Sequence, residues 1–89
     1  MTDAVSKTIE VRYFASIREA VGQGSETVRT TAATLGALRD ELIARGAPWA
    51  ACLARGRAVR MALDQTMSGE DAALADRAEV AFFPPVTGG

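Results

Sequence analysis

The chain has 89 residues, 48% hydrophobic and 24% charged, with a formal net charge of -1, an ordinary globular composition for one small domain. It has no basic block to favour nucleic acid or an anionic membrane surface, and no apolar stretch long enough for a secretory core or a membrane span, so it reads as intracellular. Histidine is absent and Cys52 is the single cysteine, which removes the commonest general base and metal ligand and excludes an internal disulfide.

Residues 1–7 carry no pattern and read as a loose N-terminal extension, with the domain expected over residues 8–83. From Thr8 the chain alternates. Ile9, Val11 and Tyr13 fall on one strand face, and Glu10, Arg12 and Phe14 on the other. Phe14 is an aromatic on a charged face. "ASIREAVGQGSE" then reads as a connection, with a turn at Gly22 and Gly24 and with Arg18 and Glu19 in the loop. Glu26 to Thr30 alternates again, Val28 inward, as a second strand pairing back on the first. Thr34 fits a helix N-cap. Leu35, Leu38, Leu42 and Ile43 form one apolar stripe at helical spacing, with Arg39, Asp40, Glu41 and Arg45 expected on the polar face and Gly46 at the stop.

Pro48 can open a short second helix that places Trp49, Cys52 and Leu53 on one face and ends by Gly56. Val59 to Leu63 is strand-like, Ser68 to Asp71 reads as a loop, and Leu74 is an isolated apolar anchor. Glu79 to Phe83 is the last strand, with Val80 and Phe82 on one face and Ala81 and Phe83 on the other. The order strand, strand, helix, strand, strand predicts an α+β domain, a mixed sheet with one main helix across one face and the last strand inside, next to the first. That is the β-grasp, or ubiquitin-like, architecture.

Side chains offer little chemistry. Cys52 reads as a small core hydrophobe, no two carboxylates sit at an acid/base spacing, no metal site is expected, and Gly22 to Gly24 lacks the rest of a phosphate-binding fingerprint. Arg18 and Glu19 read as a local pair or as a contact to a partner. The end of the chain, "AFFPPVTGG", is different. Pro84 and Pro85 have no backbone donor and must end the strand near Phe83. The six residues of the tail from Pro84 reach up to about 20 Å when extended. Gly88 and Gly89 have no side chain and can thread a slot where a Cβ would clash. A terminal carboxylate, once activated as an acyl-adenylate, can accept sulfur or an amine, so the reactive group would be the C-terminus itself. A bare Gly-Gly is commonly no more than a flexible end; behind Pro-Pro it is a slim tip on a stiff arm. Phe14 and Phe83, with Met67, are expected as an apolar patch on the sheet face away from the helix, beside the root of this arm.

"EVAFFPPVTGG" (Glu79 to Gly89) resembles the C-terminus of the family of molybdopterin synthase small subunits, the sulfur carriers of molybdenum cofactor biosynthesis. "IEVRYFASIREAVG" (Ile9 to Gly22), "LRDEL" and "ALDQT" (Ala62 to Thr66) are similar to that family's first strand, helix and third strand. The resemblance implies a β-grasp fold and a sulfur-carrier job. An E1-like activating enzyme would use ATP to adenylate Gly89, and sulfur from a sulfurtransferase or cysteine desulfurase would convert it to a thiocarboxylate. The tail, Pro84, Pro85, Val86, Thr87, Gly88 and Gly89, would insert into the large subunit of a heterotetramer. There the sulfur would pass to cyclic pyranopterin monophosphate (precursor Z), in the cytoplasm. Phe14, Met67 and Phe83 map onto the family's interface positions. The chain itself would bind no cofactor, metal, nucleic acid or membrane, and the catalytic side chains would belong to the large subunit. Asp64 replaces a usual Asn, and Asp76-Arg77-Ala78 replaces a usual Asp-Gly-Asp turn. Two other readings stay open: a β-grasp sulfur carrier for thiamin thiazole or cysteine synthesis, and a ubiquitin-like protein modifier.

Overall fold

Alternating side chains make the first two strands a half-buried hairpin. In β1 (Lys7–Tyr13) Ile9, Val11 and Tyr13 turn inward, and in β2 (Ser25–Thr30) Val28 and Thr30 do so. The strands run antiparallel with Ile9 opposite Val28. The computed structural model describes residues 6–85, and β1 begins at Lys7, one residue before the expected start of the domain. Lys7 is tied down there, its Nζ donating to the Ala32 carbonyl at 2.8 Å.

The connection between these strands is not the loop expected from its glycines. Ala15–Val21 form a helix, α1. Ile17 is buried in the core and Val21 packs against it, an i, i+4 pair that is the whole apolar signal of so short a helix. Gly22 ends it in the left-handed conformation, φ 89°, its N–H donating to the Arg18 carbonyl at 2.9 Å. Arg18 and Glu19 therefore stand on a helix, and they form no ion pair with each other among the described residues.

The main helix, α2 (Leu35–Ile43), starts where Thr34 predicts: Thr34 Oγ1 accepts from the Ala37 N–H at 3.1 Å. The Leu35 and Gly36 N–H groups donate to the carbonyls of Ala72 and Glu70 at 3.1 and 3.0 Å, so a distant loop satisfies two more of the donors that a helix start leaves free. Leu35, Leu38 and Leu42 are fully buried against the sheet, each worth roughly 1.5–3 kcal/mol of transfer free energy. Gly46, φ 93°, turns the chain beyond the helix end. The short α3 (Trp49–Cys52) follows, ending earlier than Gly56, with Cys52 and Leu53 in the core.

The second half of the sheet is built by β3 (Arg60–Leu63), β4 (Thr66–Ser68) and β5 (Glu79–Phe83). β4 occupies what reads in sequence as the approach to a loop. It exists because Asp64 and Gln65 both adopt left-handed backbone, φ 50° and 70°, in a two-residue hairpin turn without glycine. The strand order is β2-β1-β5-β3-β4. β5 lies in the middle, parallel to β1 and antiparallel to β3. This mixed sheet with α2 across its core face is the expected β-grasp.

One residue of the α2 polar face is misplaced by that expectation. Arg39 is 4% exposed. Its Nε and NH2 donate to the carbonyls of Leu53 and Ala54, both at 2.8 Å, and its NH1 to Glu70 Oε2 at 2.9 Å. Fixed acceptors replace water around the guanidinium, which is what allows a charge to be buried. Glu70 is in turn bonded by Arg55, which also pairs with Asp40 at 2.8 Å. The guanidinium thus ties α2, the segment after α3 and the loop after β4 together.

Candidate functional site

Strand β5 positions the site. It is bonded on both edges up to Phe82 opposite Tyr13 on one side and Phe83 opposite Arg60 on the other. Pro84 and Pro85 follow, half-buried and outside any strand, because neither can donate to a ladder. The expected tail-insertion residues Val86, Thr87 and Gly88, and the reactive Gly89, lie outside the described residues.

Phe14 comes to this root by a different route from the alternation that predicts it. It lies just past β1, as the N-cap residue of α1. Its N–H donates to the Phe82 carbonyl at 3.1 Å, continuing the β1–β5 ladder by one bond. Its carbonyl accepts from Ile17 and Arg18 at 3.1 and 3.2 Å, and so starts the helix. Between them Ala15 adopts φ 52°, a left-handed value that non-glycine residues rarely take, and turns the chain from strand to helix. The Phe14 ring, 46% exposed, meets Phe83 edge to face with centroids 6.5 Å apart and planes at 86°.

Met67 is on the same sheet face but not in that aromatic pair. It stands on β4 opposite Ala62, and Ala62 stands opposite Ala81 of β5. Two strand spacings, about 10 Å, separate the Met67 backbone from β5. Met67 is 57% exposed, while Ala62 and Ala81 form a low floor between it and Phe83. The face is therefore a shallow apolar surface with two raised sides, one aromatic and one methionine. Arg60 shares it with Phe83, and Arg12 pairs with Glu79 at 3.4 Å further along the sheet.

Below this face the end of β1 is braced. The Tyr13 hydroxyl donates to Glu26 Oε2 at 2.6 Å and accepts from Trp49 Nε1 at 3.2 Å. Arg45 pairs with Glu26 at 2.9 Å and lies 4.7 Å over the Trp49 ring. Burial, then the bond to Glu26, pushes the Tyr13 phenol well above its ordinary range. The residue before Phe14 is thus locked by Glu26 of β2 and Trp49 of α3, which Arg45, beyond the end of α2, holds in turn.

Cys52 is buried, and burial raises its thiol pKa, the opposite of what a reactive thiolate needs. Among the described residues no three His, Cys, Asp or Glu side chains come together as a metal site. Asp64 and Asp76 serve the backbone: Asp64 Oδ1 accepts from the Glu79 N–H at 2.9 Å and Asp76 Oδ1 from the Thr8 N–H at 2.7 Å. Among the described residues no helix is long and apolar enough to cross a membrane.

A β-grasp domain whose central strand runs into a Pro-Pro tail, with the exposed Phe14 against a half-buried Phe83 at the tail's root, has the build of a ubiquitin-like carrier domain. The chain belongs to the ThiS family, whose model matches residues 11–89. The molybdopterin synthase sulfur carrier subunit of Escherichia coli (strain K12) is 43% identical over 81 residues, which cover 91% of this chain and 99% of the relative. The solution structure of the Haloferax volcanii HVO 2177 protein superposes with a TM-score of 0.81 at 32% identity, covering 100% of this chain and 92% of the other. A complex of subunits 1 and 2 of the molybdopterin-converting factor from Helicobacter pylori 26695 contains a chain that matches with a TM-score of 0.60 at 26% identity, covering 92% of this chain and 99% of that one.

Proposed function

We infer that this protein is the sulfur-carrier subunit of a molybdopterin synthase, with the Gly89 carboxylate as its working group. The observation that carries the reading is the coincidence of a 43% identical sulfur-carrier relative with a central β5 that delivers the tail beside the Phe14–Phe83 pair. The chemistry asks little of this domain's side chains. The Gly89 carboxylate attacks the α-phosphorus of ATP on an activating enzyme, and pyrophosphate leaves. A sulfur nucleophile then displaces AMP from the acyl-adenylate and leaves a thiocarboxylate. In the synthase the thiocarboxylate sulfur bonds to a carbon of cyclic pyranopterin monophosphate as a carbon–oxygen bond at that carbon breaks and its electron pair leaves on oxygen. Water then cleaves the acyl–sulfur bond and restores the carboxylate. On this reading the acid and base groups for these steps belong to the partners.

Phe14, Met67 and Phe83 form the docking face for the large subunit, and Pro84 to Gly88 span the distance into its active site. The carrier works in the cytoplasm, where the activating enzyme has ATP at hand. Intact-mass analysis of the protein from its own cells tests this reading. An oxygen-to-sulfur mass increase confined to the C-terminal peptide is expected. Deleting Gly89 is expected to abolish molybdopterin formation in a reconstituted synthase while leaving thermal unfolding unchanged. Isopeptide-linked adducts without any thiocarboxylate would instead identify a protein modifier and overturn the assignment.

A further inference from the structure

The docking face holds one charge that the fold leaves open. Arg60 begins β3 directly opposite Phe83, on the outer side of the sheet, and its side chain is exposed. Arg12, Arg39, Arg45 and Arg55 are all ion-paired, whereas Arg60 has no carboxylate partner among the described residues. Glu70, which lines the same groove as Arg60, is taken by Arg39 and Arg55, and Glu79, on the facing strand β5, is taken by Arg12. Arg60 also lines a surface groove of about 430 Å³ together with Met67, Ser68, Gly69 and Glu70. Met67 belongs to both the groove and the docking face, so the two are continuous.

A partner that covers Phe83 and Met67 takes water from the guanidinium lying between them. A desolvated, unpaired charge in an interface is costly, and a matched carboxylate turns that cost into discrimination among partners. We propose that Arg60 is a specificity residue that pairs with an acidic side chain of the large subunit, presented by a loop seated in the groove beside Met67. The proposal rests on the docking face assigned above and adds the charge that its partner must carry. An acidic group fits the groove because its one carboxylate, Glu70, is already held by Arg39 and Arg55, which leaves Arg60 as the unpaired charge in its lining.

Binding of the full-length chain to the large subunit from the same organism tests this. Dissociation constants are compared at about 50 mM and about 300 mM salt, where screening differs most for partly exposed charges. Arg60→Gln is expected to weaken binding roughly threefold and Arg60→Glu roughly tenfold or more at low salt, with the difference shrinking at high salt. Arg29→Glu, the same charge change on the outer strand β2, is expected to bind like the parent. Phe83→Ala reports on the docking face itself. If both Arg60 variants bind like the parent while Phe83→Ala does not, the acidic contact is wrong and the docking face stands. If Phe83→Ala also binds like the parent, the docking face is wrong as well. An Arg60→Gln loss that persists unchanged at high salt, or an equal loss in Arg29→Glu, also refutes a specific ion pair. Thermal unfolding of each variant separates binding loss from misfolding, and the neutral glutamine carries the test if the reversal does not fold.

Discussion

Replacing Arg39 tests whether the buried guanidinium holds this fold or only fills it. In Arg39→Ala four hydrogen bonds vanish, the longest of them the 3.4 Å bond to the Arg57 carbonyl. The Leu53 carbonyl belongs to a fully buried residue and loses its charged donor, at a cost of about 1–3 kcal/mol. Ala54 is half-buried and Arg57 is exposed, so their carbonyls regain water and add less. Glu70, whose side chain is 38% exposed, keeps Arg55, so the lost ion pair is heavily screened. The buried methylene stem adds about 1 kcal/mol of lost packing. The total is about 3 kcal/mol, a large share of the roughly 4–13 kcal/mol expected for a chain of this length. At 4–8 °C per kcal/mol the melting temperature should fall by roughly 12–24 °C. Arg39→Met keeps most of the stem and removes the donors, so it should recover about 1 kcal/mol of the loss. Calorimetry or far-UV circular dichroism, with urea unfolding to check that the transition stays two-state, reads both variants. If Arg39→Ala unfolds within 1 kcal/mol of the parent with an unchanged m-value, the guanidinium is not a structural tie, and the four bonds it makes do not hold α2 to its neighbours.

Other substitutions follow from neighbouring geometry. Gly36→Ala should destabilise by about 1 kcal/mol despite the better helix propensity of alanine, because its Cβ would stand 3.0 Å from Glu70 Cβ and 3.3 Å from the Glu70 carbonyl, and Glu70 is held by two arginines; thermal unfolding reads the sign. Arg77 adopts φ 70° with a side chain 85% exposed, so Arg77→Gly should raise stability by about 0.5–1 kcal/mol, seen as a higher urea midpoint. Tyr13 is held above its ordinary pKa of 10.0, so the unfolded chain loses this proton first. Its contribution is fully present below pH 10.0 and fades as pH rises above it, so the parent should lose more stability than Tyr13→Phe in unfolding curves taken on either side of that pH.

What the sequence shows and what it hides divides along physical lines. The Thr34 cap, the Leu35-Leu38-Leu42 stripe and the alternation in β1, β2 and β5 are local patterns, and they appear where the residues predict them. α1 escapes because seven residues carry a single apolar pair, Ile17 and Val21, between a left-handed Ala15 and a glycine that looks like an ordinary turn. β4 escapes because its hairpin turn uses Asp64 and Gln65, where glycine or asparagine is the usual signal. The burial of Arg39 depends on carbonyls 14 and 15 residues away and on a carboxylate 31 residues away, a relation no local period can reveal. Phe14 and Phe83 are legible as a pair because strand adjacency suffices to bring them together. The open charge of Arg60 is not, because it shows only when the pairing of every other acid nearby is known.

The position of β5 explains why a carrier would adopt this fold. An edge strand could peel from its single neighbour and let the root of the tail swing. β5 is bonded to β1 and β3, so both ladders must break before Phe83 moves. Pro84 and Pro85 fix where that pairing stops, since neither can donate a further rung. The parallel partner β1 ends at the same level, and the Phe14 N–H takes the last Phe82 carbonyl. The Phe14–Phe83 pair and the root of the tail are therefore joined through one hydrogen bond and one aromatic contact, not through a flexible loop. A partner that grips Phe14 and Phe83 also fixes the origin from which six residues reach. Weakening the brace behind Phe14, through Tyr13, Glu26 or Trp49, should thus impair delivery of the tail more than the chemistry at its tip. In a reconstituted synthase loaded with thiocarboxylate, Trp49→Phe, which loses the bond to Tyr13, should raise the carrier concentration needed for half-maximal rate. The rate at saturation should stay unchanged; a fall in that rate with no change in apparent affinity would break the link between brace and docking.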